Sequence, residues 1–315
     1  MDRVEIFDSS PYRRTWAVVT ALLVWIFIFA GVMLAGKLTG LLGIYVSSGS
    51  GRWQDNIAAL FASLPVLGLL WLWLRFFERR SLAGVGLAKP QWGRFGAGFV
   101  SGLVLVGVVV AAGFVLGGYE LLGPGAWYDH LTPTWLFAAL LAIAGTGIQA
   151  LTTEAMYRGW MLSSAASQWG LGLAILFNVV ASFLIQGGNV LRSPEAMVGA
   201  VNMALMACVL CNRAARDGTL WGVIGLHAAW NLTMGLGLGL NVDGGHLNVT
   251  PLVVSLAGQD GAPWWLTGGD FGPDGSLLMT VAAGAAALWG LRGGKRGKGR
   301  PVRGRADDSD EIYDH

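Results

Sequence analysis

The chain has 315 residues, of which 54% are hydrophobic and 13% charged, with a formal net charge of +2. Soluble domains carry about 25% charged residues, so a chain this apolar, with a mean hydropathy of +0.56, is excluded from the water-soluble class. Its near-neutral charge also gives no whole-chain electrostatic footprint for nucleic acid.

Apolar stretches near the roughly 20 residues needed to cross the hydrocarbon core run over 16–36, 57–74 and 95–116. A fourth, 135–167, is too long for one straight span, and Gly145 and Gly147 are expected to mark where it bends or changes pitch. Further stretches run over 171–185, 196–211, 220–240 and 277–291, several of them short enough to need a thinned bilayer or protein neighbours. No soluble block separates them. The 48 Gly and 15 Trp supply the small residues of close helix contacts and the amphipathic rings of bilayer interfaces. The pattern predicts an all-α fold, a polytopic transmembrane helix bundle of about eight spans.

With the amino terminus placed in the cytoplasm, only Lys37, Arg52 and Arg192 fall outside and Arg158 lies within the fourth stretch. The remaining 17 of the 21 Lys and Arg then lie inside. This bias predicts that both termini are cytoplasmic. The basic run 292–305 beside the last span reads as a topology determinant touching anionic lipid, not as a nucleic-acid site, and the acidic end 307–314 as disordered.

Several motifs carry little chemistry. Cys208 and Cys211 have C-x-x-C spacing but sit in an apolar helix without a second ligand pair, so they read as packing residues. Arg13-Arg14 precede a run too long, and too poor in a cleavage site, for a removable export signal; an uncleaved first span is expected. Asn231-Leu-Thr and Asn248-Val-Thr match a glycosylation pattern that chance produces often. With four His and no H-E-x-x-H, P-loop or dinucleotide fingerprint, no cofactor and no metal is expected. No internal repeat of the kind many transporters carry is visible.

What remains are polar residues embedded in apolar helix, where a charge at mid-membrane costs about 2.5–3.5 kcal/mol. Glu154 and Arg158 are four apart and share a helix face, so they can pair; His227 and Asn231 do the same in the seventh stretch. From spacing alone, each pair can be glue between helices or part of a functional site.

Three segments together resemble the CAAX protease and bacteriocin-processing family of intramembrane glutamic endopeptidases, which includes the type II CAAX prenyl endopeptidases. They are Thr-Glu-Ala-Met-Tyr-Arg-Gly at 153–159, Gln-Gly-Gly-Asn at 186–189, and Leu-Trp-Gly-Val-Ile-Gly-Leu-His-Ala-Ala-Trp-Asn at 220–231, in matching order and spacing. The linker 82–90 is similar to the segment preceding the family's core, so the resemblance covers roughly 81–240. It implies peptide hydrolysis by activated water without an acyl-enzyme, with Glu154, Arg158, His227 and Asn231 at catalytic positions. His227 and Asn231 would steady the developing oxyanion, and Asn189 falls in a loop where related sequences often carry Asn.

Two positions depart from the family pattern: its first Glu is Thr153 here, and its second-motif His is Gln186. A Thr hydroxyl is no base near neutral pH, and Gln orients water without taking its proton. Thr153 is expected to bond back to the carbonyl of Gln149. One reading is therefore a membrane endopeptidase acting on membrane-associated peptides or proteins. The other is a catalytically degenerate relative that binds a peptide or serves in bacteriocin immunity; a transporter is a third class, disfavoured by the lack of repeats. The resemblance further implies the lipid bilayer and a membrane-associated peptide or protein substrate as partners, and a bacterial cell membrane as the location. The domain expectation is a two-span segment over 1–80, a protease-like core over 81–240, an extracytoplasmic loop and last span over 241–292, and a charged cytoplasmic tail over 293–315.

Overall fold

The computed structural model describes residues 4–7, 13–185, 193–292 and 300–301. In chain order these form β1 (Val4–Glu5), α1 (Ala17–Gly40), α2 (Trp53–Glu78), α3 (Trp92–Val115), β2 (Tyr119–Pro124), α4 (Pro133–Trp169), α5 (Leu171–Ile185), α6 (Pro194–Asp217), α7 (Trp221–Leu232), β3 (Val254–Gly258), α8 (Trp264–Thr267), α9 (Leu277–Arg292) and β4 (Arg300–Pro301). The strands make two antiparallel pairs, β1 with β4 and β2 with β3. The remainder of the regular structure is helical, and the fold is an all-α membrane bundle. Among the described residues, α1, α2, α3, α4 and α6 are each long and apolar enough to cross a bilayer, while α5 and α9 are shorter apolar helices. The chain is an integral membrane protein.

The helices are apolar on both faces because both faces meet apolar surroundings. On α1, Val24 and Phe27 point into the core while Leu22, Ile26, Phe29 and Met33 are exposed to what would be lipid. Local chemistry sets where two helices begin. Thr132 accepts a hydrogen bond from the Trp135 amide ahead of Pro133, and Ser193 accepts one from the Ala196 amide ahead of Pro194. A hydroxyl cap satisfies an orphan amide, and proline at the first helical position has no amide to orphan. These caps and Gly218, at φ +62°, give α6 a length of 24 residues, longer than the 196–211 expected from hydropathy. It needs no thinned bilayer.

The change of pitch expected at Gly145 and Gly147 does not occur there: α4 is continuous α-helix from Pro133 to Glu154 and changes pitch afterwards, in a π-helical turn over Ala155–Met161. Gly145 serves close packing instead, since a Cβ there would come within 2.8 Å of the Leu60 Cβ on α2. Gly147 faces open space. The π-helical turn inserts its extra residue beside the polar residues of α4, a placement frequent at functional sites. It is held from α5 by Asn178, which is fully buried and donates to the Tyr157 carbonyl at 2.7 Å.

Small residues allow α3 and α7 to touch backbone to backbone. A Cβ added at Gly98 would run into the Gly222 carbonyl, and one at Gly225 into the Phe95 carbonyl. Gly225→Val is therefore expected to destabilise the protein by at least the 1–3 kcal/mol typical of overpacking. Thermal unfolding of the detergent-solubilised protein measures it, and an unchanged midpoint would reject this contact as an organising one.

The connection from α7 to α9 holds two acidic residues beside the bundle. α7 continues as a π-helical turn over Thr233–Leu238, and the chain then makes a bridge between Val242 and Gly245, the β2–β3 pair, α8, and 3₁₀ turns at Gly269–Phe271 and Pro273–Gly275. Gly272, at φ +84°, is pressed against the Asn241 carbonyl, where any Cβ would collide. This contact ties the turn carrying Asp274 to the loop carrying Asp243.

Candidate active site

The residues singled out by the motifs converge. Glu154 closes the regular part of α4, fully buried, and its Oε1 lies 2.8 Å from His227 Nδ1 on α7. Its Oε2 lies 3.5 Å from Arg158 Nε, one turn on, and Arg158 is itself buried. That contact is an ion pair without hydrogen-bond geometry, since neither atom has a hydrogen-bond partner. The spacing expectation holds for Glu154 and Arg158, which pair within one helix. It does not hold for His227 and Asn231, each of which pairs across to α4. Asn231 Nδ2 donates to Gln149 Oε1 at a long 3.5 Å. Two rungs, His227–Glu154 and Asn231–Gln149, therefore join α7 to α4.

These side chains border a cavity of about 290 Å³ whose lining includes Gln149, Thr153, Glu154, Arg158, His227 and Asn231. With Nδ1 of His227 engaged by the carboxylate, Nε2 is the ring nitrogen left to act. A buried carboxylate at 2.8 Å fixes the orientation of the imidazole and stabilises it when protonated, as an orienting acid does in catalytic triads. The Thr153 hydroxyl also borders the cavity, but the expected bond to the Gln149 carbonyl is not made, and it has no hydrogen-bond partner among the described residues. A second cavity of about 220 Å³ shares Gln149, Thr153 and Tyr157 and is closed by Val32 of α1 and Ala62 and Val66 of α2. Gln186 and Asn189 lie outside the described residues.

Sequence reading missed part of the cavity wall. Gln149 entered that reading only through its backbone, and Asn202, Asp243 and Asp274 not at all, yet all four line the cavity. Asp274 is buried; its Oδ1 accepts from the Trp230 indole at 2.8 Å and its Oδ2 from the Asp243 amide at 3.2 Å. Asn202 donates to the carbonyls of Asp274 and Ser276 at 2.8 and 3.0 Å, leaving its own Oδ1 buried without a partner. Burial pushes the Asp274 carboxyl well above the usual carboxylate range; the charge of Asp243 pushes it further, and the two hydrogen bonds oppose both. Asp243, at φ +49°, is exposed and lines the cavity. Desolvation by the protein around the cavity raises its carboxyl too, while the charge of His227 draws it back down. The one sequence signal for this pair is the string Gly268-Gly-Asp-Phe-Gly-Pro-Asp-Gly275, which spends glycines on a tight turn in a chain otherwise given to helices. Among the described residues, no three His, Cys, Asp or Glu side chains come together as metal ligands.

The α4–α7 region is also where likeness to known proteins lies. Residues 131–233 match a family model described as Type II CAAX prenyl endopeptidase Rce1-like, in agreement with the resemblance carried by the motifs. The matched stretch contains Glu154, Arg158, His227 and Asn231, and it ends before Asp243. No curated protein and no solved structure matches the chain.

Proposed function

From the premise that the chain is, at the family level, a CAAX-protease-like intramembrane protease, we propose that it hydrolyses peptide bonds of membrane-associated peptides or proteins in the cavity between α4 and α7. The observation that carries this reading is the 2.8 Å contact between Glu154 and His227, two residues 73 positions apart in the chain, at the wall of that cavity. A carboxylate and an imidazole brought together inside a membrane bundle cost insertion energy, and packing alone does not call for them.

In this reading His227 and Asn231 donate to the oxyanion that forms when water adds to the scissile carbonyl. Preorganised donors aimed at developing charge act most strongly where water is excluded. Glu154 is fully buried and acts through His227, fixing its ring by the contact at Nδ1; Arg158 offsets the Glu154 charge. Gln149 positions Asn231. The segment 81–240 is the protease-like core, preceded by two spans, followed by a loop with a last span and by the tail 293–315, and both termini are cytoplasmic, as the charge bias supports.

The test is hydrolysis of an internally quenched peptide library by the purified, detergent-solubilised protein, with Glu154→Gln as control. Hydrolysis that falls at least tenfold in that variant is expected; equal turnover by both would reject a role for the Glu154–His227 contact. The Thr153 hydroxyl, without a hydrogen-bond partner among the described residues, favours a second reading, a degenerate protease that only binds its peptide. Its signature is a silent native protein that gains hydrolysis on combining Thr153→Glu with Gln186→His.

A further inference from the structure

The motif residues supply the oxyanion side of the reaction but leave open which group takes the proton of the attacking water, since a Thr153 hydroxyl is no base and Glu154, though it borders the cavity, is fully buried with its two oxygens facing His227 and Arg158. Resting on the endopeptidase reading, we infer that Asp243, a cavity-lining carboxylate supported by Asp274, is the general base of this protein. Both aspartates lie beyond the segment matched by the family model, so the assignment comes from this chain's own architecture.

Three observations converge on it. Asp243 lines the same cavity as His227 and Asn231, and the charge of His227 acts on it directly. Asp274 fixes its backbone through the 3.2 Å bond from the Asp243 amide, and Asp274 is itself held by the Trp230 indole, so the carboxylate sits on a braced turn. Asn202, 1% exposed, borders the cavity with an unpartnered Oδ1, a buried acceptor that a bound water or a peptide amide would satisfy. Of the two carboxyls, Asp274 is held by the Trp230 indole and the Asp243 amide, whereas Asp243 opens on the cavity and is the one placed to take a proton from water. A base held somewhat above the ordinary carboxylate range is better matched to neutral pH than a free aspartate.

The step balances without any co-reactant. Asp243 carboxylate takes a proton from water as the water oxygen bonds to the scissile carbonyl carbon, and the carbonyl electron pair moves onto oxygen facing His227 and Asn231. The oxyanion then re-forms the carbonyl, the C–N bond breaks, and the proton on Asp243 passes to the departing nitrogen. The products are an acid and an amine, and Asp243 is again ionised.

The groups that set the pH dependence are Asp274 on the neighbouring turn and His227 on α7, with Glu154 and Arg158 behind His227 on α4. Activity should rise with pH as Asp243 ionises. The experiment follows kcat, KM and the pH–rate profile of a library peptide cut by the native protein, using Asp243→Asn, Asp243→Glu and Asp274→Asn. Asp243→Asn is expected to lower kcat by about 10²- to 10⁴-fold, change KM little, and abolish the acid limb. Asp243→Glu should recover part of the rate, and Asp274→Asn should keep the limb. An acid limb retained in Asp243→Asn overturns the inference while leaving the endopeptidase reading intact, provided that Glu154→Gln remains impaired. If Asp243→Asn fails to elute as a folded monodisperse species, the profile of Asp243→Glu decides: an acid limb at the native position is against the inference, a displaced one for it. A native protein that cuts no peptide in the library overturns the endopeptidase reading, and this assignment with it.

Discussion

His227→Ala is expected to lower kcat for peptide hydrolysis by about 10²- to 10³-fold, the cost of deleting one oxyanion donor. KM should stay near its native value, because such a donor acts on charge that exists only in the transition state. The geometry makes the effect specific. His227 Nδ1 is committed to Glu154 at 2.8 Å, so the ring enters the reaction through Nε2. His227→Gln keeps an amide donor at similar reach and is expected to retain more activity than His227→Ala. Steady-state kinetics on the detergent-solubilised protein distinguish the alternatives: a rise in KM at unchanged kcat would make His227 a binding residue and remove it from the oxyanion site.

Arg158→Leu is expected to destabilise the fold by about 3 kcal/mol, toward the lower end of the 3–5 kcal/mol measured when one member of a buried ion pair is removed. Glu154 has no exposed surface, and without Arg158 its Oε2 loses the cation 3.5 Å away. His227 stays beside Oε1, which is why the loss falls at the lower end. The double variant Arg158→Leu with Glu154→Gln removes the stranded charge and should recover most of the stability, because the penalty comes from the unpaired charge and not from a lost attraction. Denaturant or thermal unfolding of the four proteins closes a double-mutant cycle. A double variant no more stable than Arg158→Leu would show that Arg158 contributes by packing instead of by charge.

Part of this site was legible residue by residue. The four-residue spacings put Glu154 with Arg158 on one helix face and His227 with Asn231 on another, and the first and third motifs named those four positions. The π-helical turn after Glu154 was not legible, because it depends on Asn178 of α5 reaching the Tyr157 carbonyl. Gln149 looked like one more polar residue on α4 until Asn231 arrived beside it. The glycines at 145 and 147 suggested a bend, yet Gly145 is there for the approach of α2. A glycine announces that something comes close or that the backbone turns, and its sequence neighbours do not say which.

The sequence by itself determined the class of the protein, since low charge and long apolar runs leave no soluble solution. It also determined the helices, because a backbone in lipid must satisfy its own hydrogen bonds and does so most simply as helix. Caps at Thr132 and Ser193 set starts that are local facts of two or three residues. Only the tertiary structure decided which polar faces meet. Helical periodicity reports the angle of a side chain about its own axis and nothing of the neighbouring helix. The Glu154–His227 contact exists because α7 lies between α3 and α4, where the glycines let α3 approach. The Asp243–Asp274 pair exists because Gly272 fits against the Asn241 carbonyl. Loops carry no periodicity to read, so the chemistry they bring to a cavity becomes visible only once the chain has closed on itself.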